Sequence, residues 1–344
     1  MVKRLTREEI LNGKDAYLYD GDTLYVEIGD DVVYGLHRDN SEWFEKGNFY
    51  DYFDCPSMWS YILPISKELA AGLAEERMQR AALDLEELAL FDAERLDEAV
   101  RFATEKHARQ FRKGTKTPYI VHPMEVMTIL SAMGADVNLM IAGVLHDTVE
   151  DTDATIEEIS SLFGADVAML VGGHSEDKSK DWIDRKRDEQ HATVGAPFRM
   201  KQLVLADKLA NMRSLLRDHG AIGEKLWERF NACKGDQAWY YSRMIDVLDE
   251  MQRHEATAEF YWELNDGYKD LFVEFFIDEY ENVLYQVDFT GDCYKFEKAE
   301  LKWEGSPEGV SDKALRLTRN QAERIEDNWV EDAFGRTCFG GGMN

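Results

Sequence analysis

The sequence predicts a mainly α-helical protein: a helical core flanked by two small strand-bearing (α+β) regions. Three observations predict it. Short alternating apolar segments separated by Asp/Gly turns fill roughly the first 65 residues. From Ser66 to about residue 255, apolar residues recur at helical spacing. Beyond residue 270, short runs rich in aromatic and β-branched residues return. At 344 residues the chain is longer than a typical single domain. The changes of texture divide it into 1–88, strand- and aromatic-rich, 89–255, all-α, and 256–344, a β-meander followed by a helix.

In order along the chain, Ala16–Tyr19, Leu24–Ile28 and Val32–Leu36 read as strands, separated by Asp20-Gly21-Asp22 and Gly29-Asp30-Asp31. Aromatic residues then cluster at Trp43, Phe44, Tyr50, Tyr52, Phe53, Trp59 and Tyr61, as expected for the core of a small domain. Residues 68–90 and 92–113 read as successive helices, the second carrying Leu96, Val100, Ala103 and His107 and ending at Arg112-Lys113 before Gly114. Further helices are expected at 123–133, 136–146, 155–163, 182–192, 197–217 and 234–254, with Thr155 and Glu158 forming a capping-box signature. Strands are expected at Leu271–Ile277, Val283–Phe289 and Tyr294–Trp303, and a polar helix at about 318–332.

Composition excludes several classes. Apolar residues make up 44% and aromatics 12%, enough for packed cores and unlike a disordered chain. The net charge is −28; residues 1–90 carry 9 basic and 19 acidic groups and residues 256–344 carry 9 and 20, so the flanks contribute −10 and −11 and the middle −7. Such a chain repels nucleic-acid polymers and anionic membranes but can bind a small anion where basic residues cluster locally. Its longest apolar run, Val137–Leu145, is interrupted by Asn138 and falls far short of the ~20 residues that span a bilayer. Cys55, Cys233, Cys293 and Cys338 are widely spaced, which fits neither a disulfide framework nor a thiolate metal site. The expected location is the cytoplasm.

The chemistry-bearing residues lie in the middle segment. His146-Asp147 follows the apolar stretch Leu139–Leu145, and Asp207 sits within the apolar run Leu203–Ala210, where a carboxylate is costly unless paired or metal-bound. With His122, which precedes Pro123, these residues make a reasonable mononuclear site for Mn, Fe or Zn. The two carboxylates balance a +2 ion and leave coordination positions open for water and a phosphoryl oxygen. If the helix continues, Glu150 and Asp151 fall one turn beyond His146 and Asp147, where they can orient water or move a proton. A solvated acidic helix end is the plainer reading of that pair. Basic groups gather at Arg112, Lys113, Lys178, Lys180, Arg185, Lys186, Arg187, Lys208 and Arg213. Asp207, Asn211 and Ser214 share a helical face that can hold a metal at one end and a nucleotide's sugar or base at the other.

These pieces together resemble a known family. His107 with Gln110 and Arg112-Lys113, Pro118–Pro123, His146–Thr152, Phe163-Gly164, Asp177-Lys178, Arg185-Lys186 and Leu205–Arg213 follow one another as in the histidine–aspartate (HD) hydrolase domain of the RelA/SpoT alarmone proteins, above all the small stand-alone alarmone hydrolases. The resemblance covers residues 92–217. It implies an all-α HD fold and one divalent metal, typically manganese, held by His122, His146, Asp147 and Asp207. It implies that Glu150 and Asp151 position or activate water, that Arg112, Lys113, Asn211 and Ser214 contact the nucleotide, that Lys178 helps hold phosphate, and that His107 is structural. The implied reaction removes the 3′-pyrophosphate of guanosine tetra- or pentaphosphate, giving GDP or GTP and pyrophosphate. Gly172-Gly173-His174-Ser175-Glu176 departs from the family's usual approach to the Asp-Lys pair. A nucleotide phosphatase acting on adenosine alarmones or NADPH is an alternative. So is a non-catalytic nucleotide-sensing or antitoxin-like module using the acidic flanks as a protein-binding surface.

Overall fold

The computed structural model describes residues 4–19, 21–29, 32–38, 42–47, 62–174, 179–298, 300–311 and 313–339. Tyr50, Tyr52, Phe53, Trp59 and Tyr61 of the aromatic cluster, Lys178 and the terminal glycines lie outside them. The protein is mainly helical, with two small antiparallel sheets. Its contacts divide it into two compact units: Met1–Asn211 with Asp246–Tyr261, and Met212–Ile245 with Trp262–Asn344.

The first unit opens with α1 (Arg7–Leu11), fixed by reciprocal hydrogen bonds between Thr6 and Glu9. Strands β1 (Asp15–Tyr19), β2 (Thr23–Ile28), β3 (Val32–His37), β4 (Phe44–Gly47) and β5 (Ile62–Pro64) form a sheet in the order β4-β3-β2-β1-β5. Alternation sends Leu18, Leu24, Val26 and Leu36 into one core, closed by Ala70, Ala71, Leu73 and Ala74 of α2 (Lys67–Arg80). Tyr25 and Val33 are buried against Tyr17, Phe44 and Ile62 in a separate cluster.

The helical part follows: α3 (Leu85–Lys106), α4 (Val121–Ala132), α5 (Val137–Leu145), α6 (Thr148–Asp151), α7 (Ile156–Phe163), α8 (Ala165–His174), α9 (Trp182–Val194) and α10 (Phe198–Ile222). A 3₁₀ turn at Gly223–Arg229, α11 (Lys234–Val247), a second 3₁₀ turn at Asp249–Arg253 and α12 (Glu255–Phe272) come next. In the second unit, β6 (Glu274–Asp278), β7 (Val283–Val287), β8 (Cys293–Glu297), β9 (Lys302–Gly305) and β10 (Leu315–Leu317) form a sheet in the order β10-β6-β7-β8-β9. Phe275, Ile277, Leu284 and Phe296 of this sheet enclose Ala322 of α13 (Arg319–Phe339), with Trp303 and Trp329 packed alongside.

Several elements differ from expectation. The break between the first long helices falls at 81–84 because Asp84 and Glu87 form a capping box that starts α3. That helix then stops at Lys106 with His107 as its C-cap, so Arg112 and Lys113 sit beyond its end. They belong to a small irregular hairpin in which Arg112 N–H donates to Thr117 O, Tyr119 N–H donates to Gln110 O, and Gly114 takes φ 70°. Residues 165–174 and 255–272 are helices that the sequence reading did not anticipate, and Leu271 and Phe272 end a helix instead of opening a strand. The expected strand at 294–303 is two strands joined by a turn in which Leu301 adopts positive φ.

Beneath the helical part of the first unit lies a buried ion-pair cluster. The Arg199 guanidinium donates two bonds of 2.8 Å to Asp166 and two of 3.1 Å to Asp136. Asp136 caps the N-terminus of α5, and Asp166 lies in the first turn of α8. Asn138 donates to Asp166 and Glu76, and Arg95 donates to Asn138. Arg77 of α2 donates to the carbonyls of Asp22 and Leu36, and Arg38 pairs with Asp136. Burial would raise the Asp166 carboxyl, but Arg199 and Asn138 hold it well below the usual carboxylate range. Glu76 moves the other way, raised by burial and by the Asp166 charge.

Candidate metal centre

Helix α5 is apolar along almost its whole length, with Leu139, Ile141, Ala142, Val144 and Leu145 fully buried. It therefore carries its C-terminal neighbours, His146 and Asp147, into the interior. Gly143 permits the close approach of α4, since a Cβ there would meet Leu130 Cδ1 at 2.6 Å. His122 is the second residue of α4, followed by Pro123. Proline is tolerated there because the first-turn N–H groups have no partner within the helix. Asp207 lies midway along α10, behind the buried run Leu203–Ala206.

The four side chains converge. His122 Nε2 is 3.1 Å from Asp207 Oδ1 and 3.6 Å from Asp147 Oδ2. His146 Nε2 is 3.0 Å from Asp147 Oδ2 and 3.7 Å from Asp207 Oδ1. Metal–donor bonds of about 2.1 Å bring neighbouring donor atoms to roughly 3.0–3.5 Å from each other, so this set fits a single divalent ion. His122, His146 and Asp147 by themselves form a group able to hold a metal ion. His146 Nδ1 lies 2.8 Å from the Gly143 carbonyl, which can only accept. The proton is thereby placed on Nδ1, and Nε2 turns its lone pair toward the site. Burial lowers the His122 imidazole despite the neighbouring Asp207. For His146 burial acts the same way but is outweighed by Asp147 and Asp207, so its imidazole is raised.

Asp147 and Asp207 are each tethered from outside the donor set. Tyr119 Oη donates to Asp147 Oδ2 at 2.7 Å and to Asp151 Oδ2 at 3.3 Å. Burial and these two carboxylates push the phenol far above its ordinary value, so it remains a donor. Lys208 Nζ donates to Asp207 Oδ2 at 2.7 Å and Asn211 Nδ2 to Asp207 Oδ1 at 2.7 Å. Arg112 in turn donates to Asn211 Oδ1 at 2.8 Å and lies over the Tyr119 ring.

A polar cleft opens onto these groups, lined by Glu150 and Asp151 on one part and by Trp182, Arg185, Lys186 and Glu189 of α9 on another. Arg112, Lys208 and Asn211 also line it. The structure thus brings together His122, His146, Asp147, Asp207, Glu150, Asp151, Arg112 and Asn211. The chain between His146 and Thr148 departs from helix, yet Asp151 N–H still donates to Asp147 O at 2.9 Å, preserving the one-turn spacing. Lys113 is exposed beyond the cleft lining, and Ser214 is half-buried one turn past Asn211 on α10, also beyond it. His107 is buried, its ring 4.8 Å from that of Tyr119. Its Nδ1 lies 2.7 Å from Gln110 Oε1, and Gln110 Nε2 donates to the Asp151 carbonyl.

Sequence reasoning did not single out Tyr119 or Glu189. Tyr119 stood within the motif ending at His122, but a lone tyrosine gave no sign of its reach to Asp147. Glu189 gave no signal at all, lying on a polar helix among many charges.

Comparison with known proteins agrees with this geometry. The HD-domain family description matches residues 99–226. The zebrafish (Danio rerio) protein named guanosine-3′,5′-bis(diphosphate) 3′-pyrophosphohydrolase MESH1 is 47% identical over 123 residues, 35% of this chain and 68% of that protein. The Homo sapiens MESH1 is 44% identical over 133 residues, 37% of this chain and 72% of that protein. The guanosine-3′,5′-bis(diphosphate) 3′-pyrophosphohydrolase of Aquifex aeolicus is 41% identical over 127 residues, 36% of this chain and 18% of that protein. A solved structure described as a metazoan ortholog of SpoT that hydrolyzes ppGpp aligns over 51% of this chain and 94% of its own, with 31% identity and a TM-score of 0.43. By its HD region, the chain belongs to the HD-domain family that includes MESH1 and the SpoT/RelA-type enzymes.

Proposed function

We propose that this protein is a cytoplasmic hydrolase that removes the 3′-pyrophosphate of guanosine alarmones, converting ppGpp or pppGpp to GDP or GTP and pyrophosphate. His122, His146, Asp147 and Asp207 would hold one divalent ion, Mn²⁺ in this reading. The observation that carries it is the convergence of two imidazoles and two carboxylates at 3.0–3.7 Å beneath a cleft that also presents Arg112, Arg185, Lys186 and Lys208. Among the described residues no helix is long and apolar enough to cross a membrane.

When bound, such an ion supplies Lewis acidity and an acidified water near neutral pH. The protein's own groups do the rest. Glu150, one turn beyond His146, accepts the proton of the attacking water. Asp151 supports it while held through Tyr119 and Gln110. The bond that breaks joins phosphorus to the ribose 3′-oxygen, which leaves with a proton as the water oxygen joins the pyrophosphate. Arg112, fixed by Asn211 and the Tyr119 ring, receives the nucleotide. Lys113, Lys178 and Ser214 belong to the substrate contacts on motif match alone.

The test incubates Mn²⁺-loaded protein with guanosine and adenosine 3′-pyrophosphates and with NADPH, and identifies the products. Pyrophosphate with GDP or GTP from the guanosine compounds is expected. Turnover of only NADPH or the adenosine compounds would replace the substrate assignment. Tight nucleotide binding without turnover would replace hydrolysis by sensing.

A further inference from the structure

We propose that Glu189, on α9, is a positioning residue for the metal centre: acting through Lys208, it keeps Asp207 available to a cation. The inference rests on the metal-centre reading above and deepens it. A row of alternating charges leads into the site. Asp207 Oδ2 accepts from Lys208 Nζ at 2.7 Å, Lys208 Nζ meets Glu189 Oε1 at 2.6 Å, and Glu189 Oε2 accepts from Lys186 Nζ at 3.1 Å. The side chains of Asp207 and Lys208 are 6% exposed and that of Glu189 is 9%, so water screens these charges little.

The row answers a problem that Lys208 creates. An ammonium bonded to a ligand carboxylate competes with a metal for the same negative charge. Lys208 touches Asp207 Oδ2, while Oδ1 is the oxygen that accepts from Asn211 and faces His122 Nε2 at 3.1 Å. Glu189 has two effects on this arrangement. It gives the ammonium a second carboxylate, drawing it outward onto Oδ2 and away from Oδ1. It also brings the local sum of Asp207, Lys208 and Glu189 to −1, where Asp207 and Lys208 alone would sum to zero. Lys186 opposes Glu189, since it occupies the other oxygen and restores positive charge near the cleft. Opposite effects are therefore expected for neighbouring substitutions on one helix, which loss of packing does not produce.

The experiment titrates Mn²⁺ into the chelator-stripped full chain by calorimetry, with circular dichroism and melting checking that each variant is folded. Glu189→Gln should weaken Mn²⁺ binding by about tenfold, within the roughly 10- to 100-fold range of groups that support metal ligands. Lys186→Gln should tighten it by a few-fold. Adding Lys208→Met to Glu189→Gln should restore affinity to at least that of the unmodified protein, because the competing ammonium is gone. Binding by Glu189→Gln within twofold of the unmodified protein overturns the inference and leaves the metal centre standing. Failure of Lys208→Met to restore binding also overturns it, by showing that Glu189 does not act through Lys208. Should Glu189→Gln not fold, Lys186→Gln decides alone, and unchanged or weaker binding there sinks the proposal. An unmodified protein that binds no Mn²⁺ overturns the metal-centre reading and this inference with it.

Discussion

Replacing Tyr119 by Phe isolates one hydrogen bond at the metal centre. The hydroxyl donates to Asp147 Oδ2 at 2.7 Å, the oxygen that also lies 3.0 Å from His146 Nε2 and 3.6 Å from His122 Nε2. The ring itself packs against His107 and His122, with centroids 4.8 and 6.1 Å away, and phenylalanine keeps those contacts. What is lost is a bond to a charged acceptor, worth about 1.5–3 kcal/mol. At about 1.4 kcal/mol per tenfold, that corresponds to a 10- to 100-fold weaker hold on the ion. The general effect of removing a group that orients a metal ligand is of the same size, about 10- to 100-fold. Calorimetric titration of Mn²⁺ into the stripped variant reads it directly. Affinity within twofold of the unmodified protein would show that the hydroxyl does not orient Asp147. A loss as complete as that of Asp147→Ala would show that the ring is part of the site's scaffold and that the bond was not the cause.

Other substitutions separate the remaining roles. Asp207→Ala and His146→Ala each delete a donor, so both should lose stoichiometric metal and activity together; metal analysis showing one ion per chain in either variant would break the proposed donor set. Glu150→Gln should keep the metal while kcat falls about 100-fold or more, and loss of the metal from this variant would make Glu150 a ligand. Asp166→Asn should cost about 3–5 kcal/mol in urea denaturation at pH 7, because Arg199 loses a charged partner while buried. The folded-state carboxyl of Asp166 is depressed, so its contribution is complete above the unfolded value of about 3.9 and is lost as pH falls below it. The stability gap between the unmodified protein and Asp166→Asn should therefore narrow steadily from about pH 4 downward, and a gap constant down to pH 2 would refute the ion-pair account.

The donor set was legible because burial and charge conflict in plain view. His146-Asp147 after an apolar helix and Asp207 within an apolar run are costly unless something charged completes them. The alternation in β2 and the helical spacing of α10 likewise follow from short-range pattern alone. The expected N-cap at Thr155 forms, with its side chain accepting from Glu158 N–H, but the Glu158 carboxylate is engaged by Lys106. That partner is 52 residues away, and no local pattern encodes it. Glu189, Tyr119 and Arg199 were illegible for the same reason, since their meaning lies in what they touch across the fold. The helix at 255–272 was missed because a sequence so rich in aromatic and acidic residues, EATAEFYWELNDGYKDLF, gives no clean period.

The cluster around Arg199 bears on how this chain can be cut or recombined. Similarity to the HD enzymes begins at residue 99, which invites treating what precedes it as an appendage. Yet Glu76 and Arg77 of α2 reach Asn138 and the β-sheet carbonyls, while Ala165 and Met169 of α8 complete the floor of the sheet's own core. A fragment starting at residue 89 would bare that floor to water and leave Asn138 and Asp136 without partners from residues 38 and 76. Swapping the HD segment of a relative into this chain would meet the same difficulty from the other side, because the recipient sheet would find no matching surface. Evolution has welded an ornament to an enzyme here, so that inheritance of the site now requires inheritance of the sheet.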